Sequence, residues 1–115
     1  MSAPATSGDA AENPVTHYVI VRRDLPLGVL AAMLVHAAGE SSPGGLADGT
    51  FAVVLAARDE LELALIAERL EARGVALVRI REPDAPWGNA LMALGLVPDR
   101  KEVLRRHVSS IPLLR

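Results

Sequence analysis

The sequence predicts one α/β domain, with helices layered on a four-stranded sheet. Apolar runs of strand length alternate with helical patterns in the order βαβαββα. One helix, Asp59 to Arg73, carries acids at its start, arginines at its end and Gly74 just beyond. Loop-forming Gly, Pro, Ser and Asp gather between the runs, at 39–49 and again at 82–88. A chain of 115 residues has room for a single core.

Residues 1–16 are Ala, Ser, Gly and Pro with two acids and almost no bulky apolar group. Such a segment cannot bury enough surface to offset its ordering entropy, so it is expected to be a disordered tail ahead of a domain over 17–115. His17 to Arg22 reads as a central first strand. Asp24 is placed as the N-cap of a first helix, with Pro26 at the first helical position and Gly39 as the stop. Thr50 to Ala56 is a second buried strand. In the helix that follows, Leu63, Ile66, Ala67 and Leu70 form a core-facing stripe. Val75 to Arg81 is the third strand and Asn89 to Val97 the fourth. A short basic helix runs from Pro98 to about His107, and the tail that ends the chain is expected to pack its leucines onto the domain.

Composition narrows the function. There is no cysteine, which excludes disulfides, thiolate metal sites and cysteine nucleophiles. Phe, Tyr and Trp occur once each, which weighs against an aromatic-stacking platform for single-stranded nucleic acid. The net charge of −2 gives no global attraction to a polyanion. Local charge is uneven, because Arg100, Lys101, Arg105, Arg106 and Arg115 face the single acid Glu102. No apolar run approaches the ~20 residues of a membrane span, and no secretory pattern opens the chain, so a cytoplasmic location without membrane contact is expected. His17, His36 and His107 lack partners at metal-ligand spacing, and no metal or other cofactor is expected.

Three loops are expected to meet at one edge of the sheet. The first strand ends in Arg22, Arg23 and Asp24, and the third is followed by Glu82 and Asp84. With the fourth strand antiparallel to the third, Trp87, Gly88 and Asn89 join them. Carboxylates close to each other and to an Arg supply a general base, whereas the structural alternative makes Asp24 a cap and Glu82 and Asp84 solvated turn residues. Gly28 lies in the first turn of the first helix, where anions are attracted, and allows close approach to a ligand or neighbouring loop. No G-x-G-x-x-G or G-K-[ST] accompanies it. His36 shares a helical face with Val29, Ala32 and Met33 but lies about 12 Å along the axis from Gly28.

Arg22-Arg23-Asp24-Leu25, then Gly28, Ala31, Ala32, His36 and Ala37, resemble the R-x-D-L and G-K-x-A-A-Q-x-x-H-A hallmarks of the type II peptidyl-tRNA hydrolases. Ala93-Leu94-Gly95-Leu96-Val97-Pro98 is similar to that family's closing A-L-G-I-G-P, and the likeness spans residues 17–115. It implies a mixed four-stranded sheet, a homodimer, and hydrolysis of the ester joining a peptide to the 3′ end of tRNA. It also implies Asp24, Glu82, Arg23 and His36 as catalytic candidates. Arg22, Gly28, Asp84, Trp87, Asn89, Lys101, Arg105 and Arg106 are the candidates for holding peptidyl-tRNA. The departures are Val29 for the family's lysine and Met33 for its glutamine, and the segment between Leu25 and Gly28 is two residues short. Those departures support a second expectation, a catalytically inactive member that binds RNA, a small ligand or a protein.

Overall fold

The computed structural model describes residues 14–115, which form an α/β domain with a mixed five-stranded sheet and three helices. The elements are β1 (Val15–Arg22), α1 (Leu27–Ser41), β2 (Phe51–Ala57), α2 (Glu60–Ala72), β3 (Leu77–Glu82), β4 (Ala90–Leu96), β5 (Asp99–Arg100) and α3 (Lys101–Val108). The main sheet order is β2-β1-β4-β3, and β5 pairs with the start of β1. β1 and β2 are parallel, while β4 runs antiparallel to both β1 and β3, as expected for the last pair. The C-terminal ends of β1, β2 and β3 therefore share one end of the sheet with the start of β4.

Alternation along β1 divides the interior into two layers. Tyr18 and Ile20 face a core with Leu63, Ile66 and Leu70 of α2 and Leu104 and Val108 of α3. Val19 and Val21 face a second core with Leu30, Met33 and Ala37 of α1. Small residues bring α1 very close to the sheet. A Cβ on Gly95 of β4 would lie 2.6 Å from Ser41 Oγ and would collide with the carbonyl of Ala37.

The ends of α2 follow its sequence closely. Asp59 caps it by accepting from Glu62 N at 2.9 Å, and Glu62 reaches back to Arg58 N at 2.7 Å. Gly74, at φ +79°, closes it with bonds from Gly74 N to Glu71 O and from Val75 N to Leu70 O.

Helix α1 differs from expectation at both ends. Pro26 occupies the N-cap position and no side chain caps the helix, because Asp24 is engaged by Arg22. The helix passes through Gly39 to Ser41, where the Ser41 and Ser42 hydroxyls donate to the carbonyls of Ala37 and Ala38, both at 2.7 Å. Those bonds satisfy the terminal carbonyls that a glycine turn would otherwise serve.

Ordered structure also begins earlier than expected. Val15 and Thr16 belong to β1, paired with Arg100 and Asp99, and Thr16 is buried. The rest of the expected disordered tail, residues 1–13, lies outside the described residues. At the other end, Ala56 N bonds Pro112 O and Leu114 N bonds Val54 O, so the final segment lies along the outer edge of β2. Leu114 packs on the second core, whereas Leu113 remains half exposed. Among the described residues, no helix is long and apolar enough to cross a membrane.

Candidate functional site

The structure sorts the expected site residues into two groups near the sheet end. The first group centres on Arg22. Its Nε and Nη2 donate to Asp24 Oδ1 and Oδ2, both at 2.9 Å, and its Nη1 donates to Leu91 O at 3.3 Å. The guanidinium carbon lies 5.9 Å from the centre of the Trp87 ring, within cation–π range. Glu60, in the first turn of α2, accepts from Leu91 N at 2.8 Å. Arg22 and Glu60 thus hold both backbone polar groups of Leu91, which pins the start of β4.

Engagement this complete leaves little capacity for chemistry. The hydrogen bonds from Arg22 hold the Asp24 carboxyl below its usual range, so it is ionised and weakly basic. Bonding to Asp24, with Glu60 and Asp59 nearby, raises the Arg22 guanidinium in turn. The pair is an anchor. Asp24 is neither a helix cap nor well disposed as a general base.

The second group lies between α1 and β3. Met33, His36 and Glu40 follow one face of α1 and line a groove of about 450 Å³ together with Arg81, Glu82 and Pro83. His36 Nδ1 stands 3.9 Å from Glu40 Oε2, and both side chains are more than half exposed. Arg81 Nη1 donates to Asn89 O at 3.2 Å, and Glu82 Oε1 accepts from Asp84 N at 3.2 Å. A register shift between Ile80 and Arg81 interrupts the regular alternation at this point. An imidazole, a carboxylate and a guanidinium therefore share one open polar groove, a set able to accept a proton and to stabilise an oxyanion.

The turn joining β3 to β4 is tightly built. Asn89 N bonds Glu82 O at 2.8 Å, and Gly88 and Asn89 adopt φ of +56° and +68°. Those conformations favour glycine and asparagine, which gives both residues a backbone role. Asp84 accepts from Trp87 N in the same turn. Trp87 packs on the second core.

Other candidates stand apart. Arg23 is exposed, with its backbone N–H bonded to Ala57 O. A Cβ on Gly28 would meet nothing within 4 Å, so no neighbouring loop requires a glycine there. Lys101, Arg105 and Arg106 lie on α3, directly after β5, which pairs with the opposite end of β1 from Arg22. Val29 and Met33, the two departures from the hydrolase hallmark, both pack on the second core, and Met33 also walls the groove.

Nothing in the residue pattern signals the buried pair of His17 Nε2 and Ser41 Oγ, 2.7 Å apart. Ser41 donates to Ala37 O, which leaves its oxygen to accept from the imidazole. Burial lowers the His17 pKa. Both residues are enclosed between α1 and β1, making this a packing device rather than an open site. Among the described residues, no three His, Cys, Asp or Glu side chains are grouped to hold a metal ion. No family model matches the chain, and none of the curated proteins matches it.

Proposed function

We propose that the protein is a hydrolase of the type II peptidyl-tRNA hydrolase kind, cleaving an acyl ester in the groove between α1 and β3. The observation that carries this reading is the convergence of His36, Glu82 and Arg81 on that one groove. His36, steadied by Glu40, accepts a proton as water adds to the ester carbonyl. Arg81 faces the oxyanion, and Glu82 orients the water. Collapse of the tetrahedral adduct expels the 3′ oxygen, which takes the proton back from the imidazolium. The R-x-D-L and A-A-x-x-x-H-A resemblance supplies the substrate, peptidyl-tRNA. The cytoplasmic setting and the homodimer belong to the same reading.

Asp24 has no part in this chemistry, since it is committed to Arg22, and Arg23 does not line the groove. The test is release of tRNA from a labelled peptidyl-tRNA by purified protein, compared with spontaneous hydrolysis.

A second reading, a binding module without turnover, is favoured by the apolar Met33 wall where the family carries an amide. Under that reading, peptidyl-tRNA binds and is released intact.

A further inference from the structure

At the sheet end remote from this groove, a cleft of about 260 Å³ opens between the C-terminal end of α2 and α3. It holds Arg73 from the end of α2, Arg106 and His107 from α3, and Asp99 from β5. Four arginines among the described residues are held in ion pairs, Arg22 by Asp24, Arg58 by Glu62, Arg79 by Glu71 and Arg100 by Glu102. The guanidinium groups of Arg73 and Arg106 have no such partner among the described residues. Nδ1 of His107 is buried without a hydrogen bond, and the residue lines the cleft. Two guanidinium groups outside any ion pair and an imidazole lining one small cleft make a site for an anion with several acceptor oxygens.

Two further features narrow the anion. Asp99 also lines the cleft, its Oδ1 accepting from Arg100 N at 2.7 Å and its Oδ2 making no hydrogen bond among the described residues. A carboxylate repels a bare anion but accepts from a hydroxyl. The remaining wall is apolar and includes Val97 and Val103. Cation, hydroxyl acceptor and apolar wall together match phosphate, sugar and base.

We propose that this cleft is a nucleotide-binding site. Arg73 and Arg106 hold the phosphate, Asp99 accepts from a ribose hydroxyl, and Val97 and Val103 face the remainder of the ligand. The site does not depend on the hydrolytic reading, because the cleft is lined by Ala76 and Val97, next to the start of β3 and the end of β4, whereas the groove lies between α1 and the end of β3 and shares no lining residue with it. The nucleotide is either free or the terminal unit of an RNA chain.

Isotope-labelled full-length protein is titrated at low salt with AMP, adenosine, inorganic phosphate and a short single-stranded RNA, following backbone amides. The expected result is saturable shifts around Arg73 and Arg106 with AMP, at an affinity roughly tenfold or more above that of adenosine and of phosphate. Arg73→Gln with Arg106→Gln is expected to weaken AMP at least about tenfold while leaving the melting temperature near that of the parent. His36→Asn is expected to leave AMP binding unchanged. Tighter binding of RNA than AMP at the same residues, lost in the same double variant, assigns the nucleotide to an RNA end. The inference is overturned if phosphate binds as well as AMP, if no amides near Arg73 or Arg106 shift, or if the double variant binds AMP as the parent does.

Discussion

Arg22 and Asp24, two residues apart, form a two-pronged ion pair with both N–O distances at 2.9 Å, and the same guanidinium holds the carbonyl of Leu91. The Arg22 side chain is 11% exposed and that of Asp24 39%. Removing the carboxylate therefore strands a largely covered cation, and the solvent-screened half of the pair limits the loss. Asp24→Asn is expected to destabilise the domain by about 1 kcal/mol, read as a lower urea midpoint with an unchanged slope.

The same pair sets a response to acid. The folded-state pKa of Asp24 lies below its unfolded value, so its contribution is complete above about pH 4 and is lost as pH falls through the folded pKa. Acid unfolding of Asp24→Asn should lack that component, so the gap between parent and variant should narrow below about pH 4.

His17 titrates with the same sign in a higher window. Its folded pKa is lowered by burial, so the unfolded chain takes up the proton first. Stability from this residue is complete above about pH 6.5 and declines as pH falls toward the folded pKa. An NMR titration of the His17 ring should give a midpoint below that of an unfolded reference peptide. An equal or higher midpoint contradicts the buried neutral pairing with Ser41.

Gly95 is the seat on which α1 rests. A methyl group there meets Ser41 Oγ at 2.6 Å and the Ala37 carbonyl, neither of which is a free side-chain end. Gly95→Ala is expected to cost about 1–3 kcal/mol, measured by chemical denaturation.

Asp59 satisfies an otherwise unpaired N–H at the start of α2. Asp59→Ala should lower stability by about 1 kcal/mol, whereas Asp59→Asn should retain most of it.

Local chemistry made α2 legible in the sequence, since its cap, its charges and Gly74 all act within a few residues. The start of α1 was not legible in the same way. Asp24 has the chemistry of a cap, but a bidentate arginine two residues earlier outcompetes the helix for it. Strand β5 is two residues long and has no periodicity to read. The candidate site was half legible. Arg22, Asp24 and Trp87 do meet at the sheet end, yet as an anchor for β4. That His36 joins Glu82 depends on which strands α1 lies across, and on the shift at Ile80 and Arg81, neither of which sequence spacing contains.

The proposal that the groove between α1 and β3 is hydrolytic is tested most directly by single-turnover cleavage of peptidyl-tRNA by the parent, His36→Asn, Glu82→Gln and the double variant. Glutamine keeps the acceptor that Asp84 N uses, so Glu82→Gln removes charge without dismantling the turn. Parental cleavage is expected well above the spontaneous rate, with each single variant slower by roughly 10²–10⁴-fold and the double variant scarcely slower than the singles. A parental rate equal to spontaneous hydrolysis, or single variants as fast as the parent, would contradict the proposal.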